Sequence, residues 1–138
     1  MSSLVVDASV AAKWFLREAD AASALALLST GLDLKAPAIV RQEVASAIIR
    51  AFRTGRIDRA AAEQLLANAS GMLASAAIEL IEPAPLHARA ETIALDLKHA
   101  FIDCLYIALA EREGCELVAT DATLLARAAQ RFPFVRPL

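Results

Sequence analysis

The chain is predicted to fold as an α/β protein in three layers, an α/β/α sandwich whose mostly parallel central sheet is covered by helices on both faces. Three observations lead there. Short segments such as Leu4-Val5-Val6 and Leu117-Val118-Ala119 are apolar throughout, the pattern of strands buried on both sides. Between strand candidates lie one or two segments whose apolar residues step by three and four, the period of amphipathic helices. Strands separated by helices need crossover connections, and a crossover places the strands it joins parallel.

The elements follow in order. Leu4 to Val6 is a β-branched strand closed by Asp7, and Val10 to Phe15 begins a helix broken near Leu16 to Asp20. Asp20 is expected to cap a second helix carrying Ala24, Leu25, Leu27 and Leu28, which stops at Gly31. Leu32 to Ala36 forms a brief strand before Pro37. From Ile39 to Phe52 the positions Val40, Val44, Ala47, Ile48, Ala51 and Phe52 keep helical spacing, with Gly55 as the stop. Asp58 can cap the next helix, which runs through Leu65 and Leu66 towards Leu73. Ile78 to Ile81 is a strand ended by Pro83 and Pro85, Leu86 to Leu97 a helix, and His99 falls in the following linker. Phe101 to Glu113 is a helix with a broad apolar face, terminated by Gly114. A strand over Glu116 to Thr120, a helix over Ala122 to Ala129 and a short strand at Val135 complete the chain.

At 138 residues this is one domain, 1–138, with enough chain for a real core. Although 58% of residues are hydrophobic, the apolar stretches are short and broken by residues such as Asn68, Ser70, Gly71 and Ser75, so no membrane span is expected. Asp7 interrupts the first apolar segment and no basic region precedes it, so no signal peptide is expected. The two cysteines, Cys104 and Cys115, read as reduced thiols of a cytoplasmic protein. A net charge of −2 argues against a coat for non-specific nucleic-acid binding. A local basic patch is nevertheless present in Arg41, Arg50, Arg53, Arg56 and Arg59. It is either a solvated helix face or a surface for phosphate or an acidic partner, for which guanidinium is well suited.

Four acidic residues stand in apolar surroundings: Asp7, Glu43, Asp103 and Asp121. A carboxylate in such a place is costly unless it is paired, hydrogen-bonded or bound to a metal. Asp7 and Asp121 close strands, Asp103 lies in the first turn of a helix, and Glu43 is near a helix start. All four therefore belong to the edge of the sheet where ligands bind in open parallel folds. Carboxylates facing a common point repel unless a divalent cation neutralises them, and Mg2+ or Mn2+ on oxygen ligands supports attack on phosphate. Asp7, Asp103 and Asp121 are the candidate metal ligands, with Glu43 acting through water.

Structural readings stand beside these. Asp7 and Asp121 can each cap a helix, Asp103 can serve only the helix dipole, and Glu43 can pair with Arg41. Ser9 and Thr120 can orient a neighbouring carboxylate or contact phosphate, and can equally satisfy a turn amide. His87 and His99 are isolated from each other and from any cysteine pair, so zinc and imidazole chemistry are not expected. Cys104 is expected to point away from Asp103. No glycine-rich nucleotide loop is present.

Val5-Val6-Asp7-Ala8-Ser9, Glu43 opening a helix, Phe101-Ile102-Asp103-Cys104-Leu105-Tyr106-Ile107-Ala108-Leu109-Ala110 and Leu117-Val118-Ala119-Thr120-Asp121-Ala122-Thr123-Leu124 together resemble the successive motifs of PIN-domain ribonucleases, specifically the VapC-type toxins of bacterial toxin–antitoxin pairs. The resemblance spans essentially the whole chain. It implies a PIN-like sandwich in which Asp7, Glu43, Asp103 and Asp121 form the acidic cluster that holds Mg2+ or Mn2+ and cleaves single-stranded RNA. Ser9 and Thr120 match the hydroxyl residues beside the first and last aspartates. Ile102 and Cys104 depart from the tyrosine and alanine usual in the family, which alters packing around Asp103 and removes no charge. The resemblance also implies a homodimer within a larger complex and a VapB-type antitoxin, with operator DNA bound only through that antitoxin. Trp14, Phe15 and Leu16, with Ile48, Ile49 and Phe52, are the candidate interface residues, and Arg41, Arg50, Arg53 and Arg56 the candidate contacts to RNA or antitoxin. A non-catalytic binding module and a metal-dependent DNA nuclease or phosphatase are the alternatives.

Overall fold

The computed structural model describes residues 2–138. Its first strand, β1 (Ser3–Val6), leads into α1 (Ala8–Ala11), a 3-10 turn at Ala12–Trp14 and α2 (Ala21–Ala26). After a further 3-10 turn, β2 (Asp33–Pro37) is followed by two antiparallel-connected helices, α3 (Val40–Arg53) and α4 (Arg59–Leu73). Strand β3 (Glu79–Ile81), a 3-10 turn begun at Ala84, and helices α5 (His87–Leu97) and α6 (Phe101–Glu113) come next. The chain ends with β4 (Glu116–Ala119), α7 (Ala122–Ala128) and β5 (Val135–Pro137).

The five strands form one sheet in the order β3-β2-β1-β4-β5, and every pairing is parallel. Strand β1 is central, with Leu4 beside Leu34 in one neighbour and Glu116 in the other. From β1 the chain winds outward through β2 and β3, then returns across the sheet to β4 and β5. With right-handed crossovers, this reversal puts α1 to α4 on one face and α5 to α7 on the other. It also makes the junction of β1 and β4 the topological switch point, where the first turns on either side diverge and leave a crevice.

Burial explains the strand composition. Leu4, Val5 and Val6 are each at most 1% exposed, so both faces of β1 are covered. Helix α6 goes further than the expected apolar face. Every residue from Cys104 to Ala110 is buried, because α6 packs on β1, β2 and β4 and is itself covered by α5. Gly114 ends it at φ 64°, a backbone conformation that glycine takes without the side-chain clash other residues meet.

Three local expectations change. Asp20 does sit ahead of α2, but with φ 68° and no side-chain cap; only its carbonyl is used, accepting from Ala24 N. Helix α1 begins earlier than the apolar spacing suggests, because the Asp7 side chain caps it from the strand end. Trp14, Leu16 and Ile48 are not surface residues. Trp14 is 8% exposed, with its indole N–H donating to Ala24 O at 2.8 Å, and Ile48 is fully buried. Among the candidate interface residues Phe15 stays partly exposed, and Ile49 and Phe52 remain open to solvent. Phe15, Ala51, Ile57 and Leu65 help line an apolar groove of about 440 Å³ between the first helical turn and the α3–α4 hairpin.

Two ion pairs tie α6 to its surroundings: Lys35 donates to Glu113 at 2.6 Å, and Arg89 grips both oxygens of Glu111 at 2.7 and 2.8 Å. Each hydrogen bond holds its carboxylate below the ordinary glutamate value. A lowered folded-state value contributes stability above the ordinary value and loses it as pH falls through the lowered one. Melting temperature is therefore expected to fall on acidification below about pH 4.5, and Lys35→Met should remove part of that fall. A Lys35→Met variant with an unchanged acid limb would refute the linkage. Among the described residues, no helix is long and apolar enough to cross a membrane.

Candidate metal centre

Asp7 lies where β1 meets β4. Its amide donates to Val118 O at 3.0 Å, which extends the strand pairing by one step and fixes the backbone on which the carboxylate stands. The carboxylate is 5% exposed, the one buried charged side chain among the described residues. Its Oδ2 accepts from both the amide and the hydroxyl of Ser9. The Ser9 oxygen in turn accepts from Thr120 N at 3.3 Å, so one hydroxyl joins the ends of the two central strands. Thr120 thus enters through its amide, and its hydroxyl makes no hydrogen bond among the described residues. Burial pushes the Asp7 carboxyl above its ordinary range; the Ser9 bonds oppose this, while the charges of Asp103 and Asp121 add to it.

Glu43 sits in the first turn of α3, and its Oε1 accepts from the Tyr106 hydroxyl of α6 at 2.6 Å. This bond, and not an ion pair with Arg41, holds it. Burial again raises the carboxyl above its usual value, opposed by Tyr106 and reinforced by Asp7 and Asp103. Asp103, in the first turn of α6, meets His99 through Oδ2 at 2.6 Å. Asp121 caps α7, its Oδ1 accepting from Thr123 N at 2.9 Å and Leu124 N at 3.3 Å.

The four carboxylates share one design. Each is held through a single oxygen: Asp7 and Asp103 through Oδ2, Glu43 through Oε1, Asp121 through Oδ1. The second oxygen of each takes no hydrogen bond among the described residues. No buried side-chain oxygen there lacks a partner, so the free oxygen of Asp7 is not sealed away and opens to the crevice. Capping and ligation are therefore compatible for Asp7 and Asp121, because each cap occupies one oxygen and spares the other. Ligand atoms of His99, Asp103 and Asp121 lie within 4.8 Å of one another, a spacing that could hold a divalent ion. Free carboxylate oxygens that repel one another suit a hard cation such as Mg2+ or Mn2+.

His99 was the residue that sequence reasoning passed over. Its side chain is only 5% exposed, and it faces Asp103 four residues on. That spacing, measured across the start of a helix, was the available signal. The sequence pattern suggests a linker there, but the turn is sharp: Lys98 adopts φ 53°, and His99 N folds back to Ala94 O at 3.1 Å. His87 stays apart, its ring tilted against Phe101 and beside Glu91. Cys104 is fully buried, and burial beside Asp103 pushes its thiol up to about 11, so it stays protonated and unreactive. Ile102 packs against the core, which accommodates the departure from tyrosine at that position.

The arginines do not enter the cluster. Arg41, Arg50 and Arg53 are exposed on α3, and Arg56 lies 3.7 Å from Glu18 beside the apolar groove.

The class that fold and site define is an α/β/α domain with a parallel sheet and a candidate metal-binding acidic cluster at its switch point. The chain belongs to the PIN domain family, whose model matches residues 4–130. Among solved structures, VapC20 of Mycobacterium tuberculosis, described as a Sarcin-Ricin loop cleaving toxin, has the same fold. Its TM-score is 0.73 at 21% identity, over 98% of this chain and 100% of that one. No curated protein matches the chain in sequence.

Proposed function

We propose that the chain is a Mg2+- or Mn2+-dependent endoribonuclease that hydrolyses phosphodiester bonds in single-stranded RNA, acting in the cytoplasm as the toxin of a toxin–antitoxin pair. The observation that carries this reading is the set of four carboxylates that each keep one oxygen free at the switch point. Membership of the PIN domain family and the fold shared with a protein described as a Sarcin-Ricin loop cleaving toxin support it.

Asp7, Asp103 and Asp121 would hold the cation. When bound, it neutralises the cluster and polarises the phosphoryl oxygen under attack. Glu43 then has a distinct part. Its raised proton affinity suits it to take the proton of the attacking water, and Tyr106 fixes the direction from which it does so. Ser9 keeps Asp7 and the β4 end in register. The exposed guanidinium groups of Arg41, Arg50 and Arg53 are suited to backbone phosphates or to an acidic stretch of a VapB-type antitoxin, and the groove lined by Phe15 and Leu65 suits an apolar partner segment. The active form is taken to be a homodimer.

The test is cleavage of single-stranded RNA, its DNA equivalent and duplexes, with Mn2+, with Mg2+ and with EDTA. Cleavage of RNA alone, dependent on the cation, is expected, since the 2′-hydroxyl distinguishes the first two substrates. DNA cleavage at an equal rate would reassign the substrate. Intact antitoxin binding with no cleavage across a broad RNA panel would make the chain a binding module.

A further inference from the structure

Resting on the metal-centre reading above, we infer that Arg127 and His99 act in series to position Asp103, and that His99 is not itself a ligand to the cation. The three residues come from three parts of the chain: Arg127 from α7, His99 from the turn between α5 and α6, Asp103 from α6. Arg127 NH1 donates to Lys98 O at 2.8 Å and reaches His99 Nδ1 at 3.1 Å. His99 Nε2 lies 2.6 Å from Asp103 Oδ2.

The direction of these bonds follows from the chemistry of their ends. A guanidinium has donors only, so Nδ1 must accept from Arg127 and carries no proton. The ring proton is then on Nε2 and is donated to Asp103. Turning the ring over would put carbon atoms against both partners and lose both bonds. Neither ring nitrogen is left with a free lone pair, and a ligand needs one. The proximity of His99 to Asp103 and Asp121 is therefore that of a hydrogen-bond donor: it occupies Oδ2 and turns the other oxygen of Asp103 to the crevice.

Arg127 anchors the arrangement. Lys98 is held in the left-handed region, a conformation that is strained for a non-glycine residue and persists only where surroundings impose it. The bond from Arg127 to the Lys98 carbonyl is one such constraint. An exposed side chain on the last turn of α7 thus sets the orientation of a carboxylate two groups away.

Mn2+ binding to the full chain tests this by titration and by pulsed EPR. Wild type should bind Mn2+ with no directly coordinated imidazole nitrogen in its spectrum. His99→Phe should weaken binding about 10- to 100-fold and Arg127→Ala about 10-fold, whereas His99→Gln, whose amide still donates to Asp103, should stay within about threefold of wild type. A directly bound nitrogen in wild type, an Arg127→Ala affinity equal to wild type, or His99→Gln as weak as His99→Phe would each overturn the inference while leaving the metal centre standing. Wild type that binds no Mn2+ would overturn both. Should His99→Phe fail to fold, the wild-type spectrum and the His99→Gln affinity decide.

Discussion

Replacing Asp7 by asparagine is expected to lower Mn2+ affinity and cation-dependent RNA cleavage by at least about 100-fold, while the protein stays folded. The substitution keeps the shape of the side chain and one oxygen to accept from Ser9, but removes the one buried charge of the cluster. That charge has a cost when no cation is present. A carboxyl whose folded-state value is raised contributes most favourably below its ordinary value, and the contribution is lost as pH rises through the raised one. At neutral pH in EDTA, Asp7→Asn should consequently melt at or above the wild-type temperature. Saturating cation reverses the order. At 100 times the wild-type dissociation constant it adds about 2.7 kcal/mol to wild type, a shift of roughly 10 °C for a domain of this size, and at most about 0.4 kcal/mol to a variant that binds 100-fold more weakly. Thermal melts with and without Mn2+ measure both effects, and an Asp7→Asn protein that binds and cleaves like wild type would refute the assignment.

Ile48→Ala should cost about 2 to 5 kcal/mol in denaturant unfolding, against less than about 1 kcal/mol for Phe52→Ala. Both residues keep the helical spacing of α3 and are four residues apart, so the sequence places them on one face. Ile48 is fully buried, whereas Phe52 is 41% exposed although Ala51 beside it is buried, so the buried stripe of α3 passes Phe52 by. Equal costs for the two would refute this difference in burial.

The layer order and nearly every element were legible in the sequence because period-3.6 patterns, wholly apolar strands and glycine stops all agree along this chain. Where reading failed, the cause was tertiary. Trp14 and Leu16 look like loose apolar residues at a helix end until α2 folds back to offer the Ala24 carbonyl to the indole. Asp20 has the side chain of a cap but the backbone of a left-handed turn. In the site, the four carboxylates were visible as charges out of place, and their grouping followed from strand ends and helix starts. The groups that hold them were partly hidden. Ser9 was within reach of local reasoning. Tyr106 was read as part of an apolar face, and His99 as a linker residue, since nothing in composition tells which polar atom a buried ring will offer to a neighbour 63 positions away or across a turn.

The hydrogen bond from Tyr106 to Glu43 has a consequence for how the centre comes together and apart. Asp7, Asp103 and Asp121 are each oriented by groups at most four positions away in the chain. Glu43 is held directly by a partner 63 positions away, a contact that joins the start of α3 on one face of the sheet to α6 on the other. Local opening of the α3–α4 hairpin is therefore expected to withdraw Glu43 while each aspartate keeps its nearest partner, so that in the proposed mechanism cation binding would outlast cleavage.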